Sequence, residues 1–305
     1  MGAGLGAGFA AAFSGAGVGL DSAALGESSR LSGGRASDPF ASPGLPLSGA
    51  VIAAFGSGAR YADYAGVVFN DSRTGGIGFT MVDLHDPGVR IDMTWDAMSV
   101  RASATDHIHY DKVRVPAARV VPLQPFYRAA HRERAHAFIN DRYREDWVAL
   151  SVLWLGAMAT GVAEISFEET ATSIRDRIAI FGTKMVERPT IHVNLGRARA
   201  LINAATDTVF AAMAETDARI AAGTVPSEGD YFRQTSAGMQ AVLLCDEAMD
   251  LVLRVLGGNG LREGTDFERR YRDSRAMPLH INGHIDRITE QLGRISLGLE
   301  AQNPF

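Results

Sequence analysis

Cysteine is almost missing: Cys245 is the only one in 305 residues, so no disulfide forms within the chain. It falls in an apolar helical pattern and reads as a small buried hydrophobe rather than a reactive thiol. The composition fits a reducing compartment, and a cytoplasmic location is expected. A basic excess is missing as well. The formal net charge is -5 with no long run of one sign, which argues against a nucleic-acid partner. Anionic small molecules stay open, because a few placed arginines suffice for a phosphate. The opening twenty residues are mostly Gly and Ala, without the charged start of a signal peptide and too weakly apolar to span a membrane. No other stretch reads as a span, so no membrane partner is expected. Gly6 stands where a myristoylation signal needs Ser or Thr.

Several chemical signatures are absent too. There is no GxGxxG between a strand and a helix, no Walker loop, no HExxH, no CxxC and no GxSxG. The usual dinucleotide fold therefore has no support. His107 and His109 share one face of a strand, and are read as exposed strand histidines rather than metal ligands. No metal is expected.

What is present divides the chain by texture. Residues 1–49 are rich in Gly, Ser and Ala and predict a poorly ordered segment, with a short helix near Phe9 to Phe13. Residues 50–125 alternate short apolar runs with Gly, Asp and Pro punctuation, which predicts about five strands in a small antiparallel domain. Turn clusters run from Asp71 to Gly76 and from Asp86 to Gly88. Residues 126–143 read as a linker. From 144 to 305 the period is helical. Trp147 to Ile174 is apolar on several sides. The sets Ile191, Leu195, Ala198, Ile202 and Val209, then Val242, Cys245, Met249 and Val252, then Ile285, Ile288, Leu292, Ile295 and Leu299 recur every three or four residues. Four long helices predict an antiparallel four-helix bundle, so the fold class is α+β: a small antiparallel β domain followed by that bundle.

Four segments could carry chemistry. In Phe55-Gly56-Ser57-Gly58 two glycines flank a hydroxyl, which suits close approach of a flat ligand and equally a strand-ending turn. Trp95 to Thr105 holds Arg101 among hydroxyl residues including Ser103, either an anion contact or a polar crossing loop. Leu256-Gly257-Gly258-Asn259-Gly260 exceeds what a helix cap needs, which suggests backbone kept bare for a partner or ligand. Arg269 to Arg275 packs four arginines into seven positions, which reads as a solvated or ion-paired face with Asp273 as one partner, and His280 follows among apolar neighbours.

In order and spacing, these segments resemble the middle and C-terminal parts of the acyl-CoA dehydrogenase superfamily. LSGAVIAAFGSGARYAD is similar to the strand that passes the flavin ring. WDAMSVRASATDHIHYDKVRVP is similar to the stretch before the domain linker. RIAIFGTKMVERP is similar to the Arg and Phe-Gly element that reaches the flavin phosphates. LRVLGGNGL and YRDSR are similar to the glycine turn and the Arg-Asp signature. The resemblance implies FAD or FMN held between the two parts, and a homotetramer built as a dimer of dimers. It assigns cofactor contacts to Phe55, Ser57, Arg177, Phe181, Gly257, Gly258, Asn259 and Gly260, and substrate contacts to Arg101 and Ser103.

Two departures shape the expected activity. The family's N-terminal helical domain is largely missing. The glutamate base that many dehydrogenases carry nine residues after the signature arginine is Ile281 here, followed by Asn282. His280 lies eight residues after Arg272 instead, as in the monooxygenase branch, which the ending QLGRISLG and the FGSG segment also resemble. On that analogy Ser57 bonds the flavin edge, and His280 is the catalytic residue, steadying an oxygenated flavin or deprotonating a substrate hydroxyl. The expected function is a two-component monooxygenase acting on a small-molecule substrate with flavin from a separate reductase. The alternatives are an acyl-CoA dehydrogenase or a truncated non-catalytic subunit.

Overall fold

The computed structural model describes residues 9–12, 45–46, 51–71, 74–122, 141–280 and 284–300, with the backbone alone at 9–12, 45–46, 51–55, 141 and 181. Most of the expected linker lies outside the described residues, as does most of the glycine-rich segment. The chain forms two compact units, residues 1–97 with 101–124, and residues 98–100 with 125–305.

The first unit is built on a sheet of seven strands. In chain order these are β1 (Phe9–Ala12), β3 (Val51–Ser57), β4 (Tyr64–Asp71), β5 (Gly76–Asp83), β6 (Val89–Asp92), β7 (Asp106–Tyr110) and β9 (Val121–Pro122), arranged β6-β7-β3-β1-β4-β5-β9. A separate pair joins β2 (Leu45–Pro46) to β8 (Arg114–Val115). Alternation drives β4: Ala65, Val67 and Phe69 are buried, and they face Val82, Thr80 and Gly78 of β5. Gly78 leaves room for an aromatic ring, since a Cβ there would lie 2.6 Å from Phe69 Cζ. The β4–β5 turn closes where the Asp71 carbonyl accepts from the Thr74 and Gly75 amides, with Gly75 at φ +68°. The Asp86 carboxylate accepts from the Gly88 amide and shapes the turn before β6. Ile108 and Tyr110 of β7 complete the core.

Two expectations need correction here. Phe9–Ala12 is a strand, not a helix; it pairs with β3 on one side and with β4 on the other. Ladder bonds on both edges override the helix preference of its three alanines. Its pairing with β4 is parallel, so the sheet is not purely antiparallel. Between residues 50 and 125 the described residues form seven strands, β3 to β9, rather than about five, because β8 and β9 are two residues long and show no readable alternation.

The second unit is helical: α1 (Trp147–Ile174), α2 (Pro189–Ala221), α3 (Glu228–Leu256), α4 (Asp266–Ser274) and α5 (Ile285–Ser296). Asp146 caps α1 by accepting from the Val148 and Ala149 amides. Pro189 opens α2, and Ser227 with Asp230 forms a capping box at α3. The core joins Leu153, Ala159 and Ala163 of α1 to Ala198, Ile202 and Val209 of α2 and Val242, Cys245 and Met249 of α3. Small side chains let the helices approach closely. At one crossing the backbones touch: a Cβ on Gly238 would stand 2.3 Å from the Val152 carbonyl oxygen. Burial pushes the Cys245 thiol up to about 12, which fits an inert core cysteine.

Glu145, just before α1, is 1 % exposed and takes two bonds from Arg219 of α2 at 2.7 and 2.8 Å. Gln234 of α3 joins them at 3.1 Å, so one network fastens three helices. The fourth expected helix is short. Helix α5 has 12 residues and ends before Gly298 turns left-handed at φ +71°, leaving Leu299 outside it. Among the described residues the unit thus holds three long α-helices and two short ones. Helix α1 also corrects the membrane reading, for an 18-residue window of it averages a hydropathy of 1.7, apolar and long enough to cross a bilayer. Here Leu153, Ala159, Ala163 and Phe167 of that helix lie buried in the helical core.

Candidate functional site

In the first unit the candidate residues gather at the end of β3. Gly56 is forced by packing, because a Cβ there would meet Ile108 Cδ1 at 2.5 Å. Ser57 is exposed, and Gly58 turns the chain at φ +78°. The Gly58 amide donates to the Ser103 carbonyl at 2.7 Å. Ser57 Oγ lies 3.1 Å from Thr105 Oγ1, which lies 2.6 Å from Ser103 Oγ. Beside them Arg60 donates two bonds to Asp106, at 2.5 and 2.9 Å, and the Trp95 amide donates to the same carboxylate at 2.9 Å. Asp106 is fully buried, and the Arg60 guanidinium holds its carboxyl below the usual range.

The structure therefore brings Ser57 and Ser103 together and leaves Arg101 apart. Arg101 is exposed and its Nε donates to the Ala97 carbonyl at 3.1 Å. The Phe55 side chain lies outside the described residues. His107 and His109 sit on β7, with His109 Nε2 2.7 Å from Asp92 Oδ2 on the neighbouring strand. No group of three metal-ligating side chains occurs among the described residues.

In the second unit, Arg177 opens a tight turn. The Met185 amide donates to its carbonyl, and Gly182 takes φ +76°. The Phe181 side chain lies outside the described residues. Arg177 Nη1 donates to the Leu256 carbonyl at 3.2 Å, and the Asn259 amide oxygen, turned toward the guanidinium, accepts from it. Two expected cofactor elements thus meet within one unit.

The glycine turn separates into three roles. Gly257 lies at φ +61° and ψ -145°, a conformation that suits glycine. Gly260 is a packing glycine, its Cβ position 2.7 Å from Leu253 Cδ1. Only Gly258 has both an ordinary φ and open space around its Cβ position. The backbone kept bare for a ligand therefore narrows to Gly258.

The arginine cluster is ion-paired throughout. Arg269 meets Asp266, Arg270 meets Glu169, Arg272 meets Glu268, and Arg275 meets Asp246 and Asp250. The Arg-Asp signature has a different task. Arg272 Nη1 donates to the Met98 carbonyl at 2.8 Å, and Asp273 Oδ1 accepts from the Val100 amide at 2.7 Å. Val100 is β-branched and sits at φ +45°, a strained left-handed position. His280 is exposed, yet the surrounding protein desolvates its imidazole and lowers its pKa. Ile281 and Asn282 lie outside the described residues. Sequence alone singles out neither Arg60 nor Asp106, whose pairing spans 46 residues.

A sheet unit with paired hydroxyls and a helical unit with a glycine turn define an α+β architecture of a recognisable class. Residues 153–284 match the family described as acyl-CoA dehydrogenase, C-terminal domain. In its helical unit the chain is similar to that family's C-terminal domain. It is 25% identical over 260 residues to a pigment production hydroxylase of a Rhodococcus species, covering 83% of this chain and 65% of that protein. It is 26% identical over 227 residues to a cyclohexane-1-carbonyl-CoA dehydrogenase of Geobacter metallireducens, covering 72% and 53%. The solved structure of XiaF from Streptomyces sp. in complex with FADH2 and glycerol has the same fold, with a TM-score of 0.79 at 19% identity over 98% of this chain and 70% of that one. The chain thus spans between half and two thirds of the length of these curated relatives.

Proposed function

We propose that the chain works as a flavin-dependent oxidoreductase, a two-component monooxygenase that takes reduced FAD or FMN from a separate reductase. The observation that carries this reading is His280. It is an imidazole whose pKa is lowered by desolvation, in a stretch from Met277 to Gly283 that holds no carboxylate. A neutral imidazole hands a proton to, or takes one from, an oxygen centre near neutral pH. The position nine residues after Arg272, where many dehydrogenases carry a glutamate base, is Ile281, which disfavours α-proton abstraction from that position. The hydroxylase relative and the FADH2 complex of a like fold support the same reading.

The residues present fit a flavin. Ser57 offers an exposed hydroxyl for a ring edge, and Gly258 open space where a Cβ would stand. Arg177 spends part of its five-donor fork on Leu256 and Asn259, which orients the remaining donors for a phosphate. Gly257 and Gly260 hold the turn in shape. When bound, reduced flavin supplies the electrons that activate oxygen. The chain's own part is to place the ring edge at Ser57 and to hold or move a proton at His280. By the same reading the protein is a cytoplasmic dimer of dimers whose helices form a four-helix bundle. The match to a dehydrogenase keeps α,β-desaturation as the second reading.

The test mixes the purified protein anaerobically with reduced FMN or FAD and then with oxygen. A monooxygenase purifies colourless and slows reoxidation of the flavin relative to free solution. Protein that purifies yellow with tightly held FAD favours the dehydrogenase. Reoxidation at the free-flavin rate, with no binding in either redox state, leaves a non-catalytic subunit.

A further inference from the structure

Two motifs 48 residues apart meet in the first unit through a chain of hydroxyl groups: Ser57 with Thr105 at 3.1 Å, and Thr105 with Ser103 at 2.6 Å. A hydroxyl carries one hydrogen and two lone pairs. A bond passed through Thr105 therefore has a sense. Either Thr105 accepts from Ser103 and donates to Ser57, or it accepts from Ser57 and donates to Ser103. Ser57 is exposed while Thr105 is only 8 % exposed, so Ser57 is the end that meets another molecule and Thr105 is the internal junction.

The backbone around this junction is over-determined. Gly58 is tied to Ser103 by its amide, and Asp106, next to Thr105, is pinned by Arg60 and by the Trp95 amide. Ala104, on the other side, is held at φ +45°, and its carbonyl accepts from the Asp106 amide. So much fixed geometry around three rotatable O–H bonds leaves their direction as the free variable.

We infer that Thr105 is a positioning residue that sets whether Ser57 presents a hydrogen or a lone pair to its ligand. With Thr105 donating to Ser57, the Ser57 hydrogen points outward to an acceptor atom. With Thr105 accepting from Ser57, the lone pairs of Ser57 face outward to an N–H donor. The inference rests on the flavin reading and deepens it. The edge of an oxidised isoalloxazine presents an acceptor nitrogen where the reduced ring presents an N–H. Turning three O–H bonds lets one serine serve both states without moving the backbone.

Anaerobic titrations with oxidised and with reduced FMN test this on the full chain. Thr105→Val keeps the side-chain shape and removes the hydroxyl, while Thr105→Ser keeps it. Thr105→Val is expected to weaken binding by about tenfold, and Thr105→Ser by no more than about twofold. The double variant Ser57→Ala/Thr105→Val is expected to bind no more weakly than Ser57→Ala alone, because the two groups act as one. Ser103→Ala tests direction even if the Thr105→Val protein does not fold. It leaves the Thr105 hydrogen without its inner acceptor only when Thr105 accepts from Ser57. Binding of reduced FMN should therefore fall about fivefold further than binding of oxidised FMN. Equal losses in both states, or additive losses in the double variant, would overturn the role of Thr105 while leaving the flavin reading intact. Wild-type protein that binds neither form overturns both.

Discussion

Replacing Gly238 with alanine puts a methyl group where helix α1 already stands. The new Cβ would lie 2.3 Å from the Val152 carbonyl oxygen, 2.6 Å from its carbon and 2.9 Å from the Leu153 nitrogen. All three are backbone atoms, so no side chain relieves the clash by rotating. Ordinary carbon contacts need about 3.5 Å or more, so α1 and α3 must separate by about an ångström locally. That separation loosens Val152, Leu153, Val242 and Met249, each no more than 2 % exposed. Overpacking of this kind costs about 1–3 kcal/mol, and the better helix propensity of alanine offsets about 1 kcal/mol of it. The backbone clash places this site at the upper end, for a net loss of about 2 kcal/mol. Gly161→Ala is the control. It lies on the exposed face of the same α1, and its Cβ would meet nothing within 4 Å. It should stabilise by about 0.5–1 kcal/mol. Urea unfolding followed by far-UV circular dichroism reads both, and the midpoints should move in opposite directions from wild type. A Gly238→Ala protein as stable as wild type would refute the close backbone crossing.

Other outcomes follow from the same contacts. Glu145→Leu leaves Arg219, 10 % exposed in its side chain, without its closest carboxylate, and should cost about 3–5 kcal/mol in urea unfolding. Val100→Gly removes left-handed strain and should gain about 1 kcal/mol, whereas Asp273→Ala, which removes the carboxylate that accepts from the Val100 amide, should speed tryptic cleavage after Arg101. The Asp106 carboxyl, held down by Arg60, takes its proton at lower pH in the folded than in the unfolded chain. Its stabilisation is therefore full above the unfolded pKa of about 3.9 and fades as pH falls through the folded value. Asp106→Asn should flatten the acid limb of a plot of urea midpoint against pH. On the proposed function, His280→Ala should leave flavin binding nearly intact but uncouple oxygen consumption from product formation.

The helical periodicity was largely legible in the sequence. Trp147 to Ile174 was expected as one helix and is one. The set from Ile191 to Val209 marks the buried stripe of α2. The last apolar series overstated its helix, since a left-handed glycine cuts α5 short of Leu299. Short strands stayed hidden because pairing, not pattern, makes them, as at Phe9–Ala12. Glycines were noticed in loops and overlooked in helices, where Gly156 and Gly238 look like propensity defects until the facing helix is known. At the candidate site, each motif was visible by itself and their joining was not. Ser57 and Thr105 meet across 48 residues, and the partners of Arg270 and Arg275 sit on α1 and α3. No local spacing carries such information.

On the proposed function, Ser57 and the Gly258 turn each contribute to binding of reduced flavin. Equilibrium dialysis of the wild-type, Ser57→Ala and Gly258→Val proteins against reduced FAD and FMN under strict exclusion of oxygen tests it most directly. The account predicts saturable binding by wild type that both substitutions weaken. Absence of saturable binding by wild type, or binding untouched by either substitution, would contradict it.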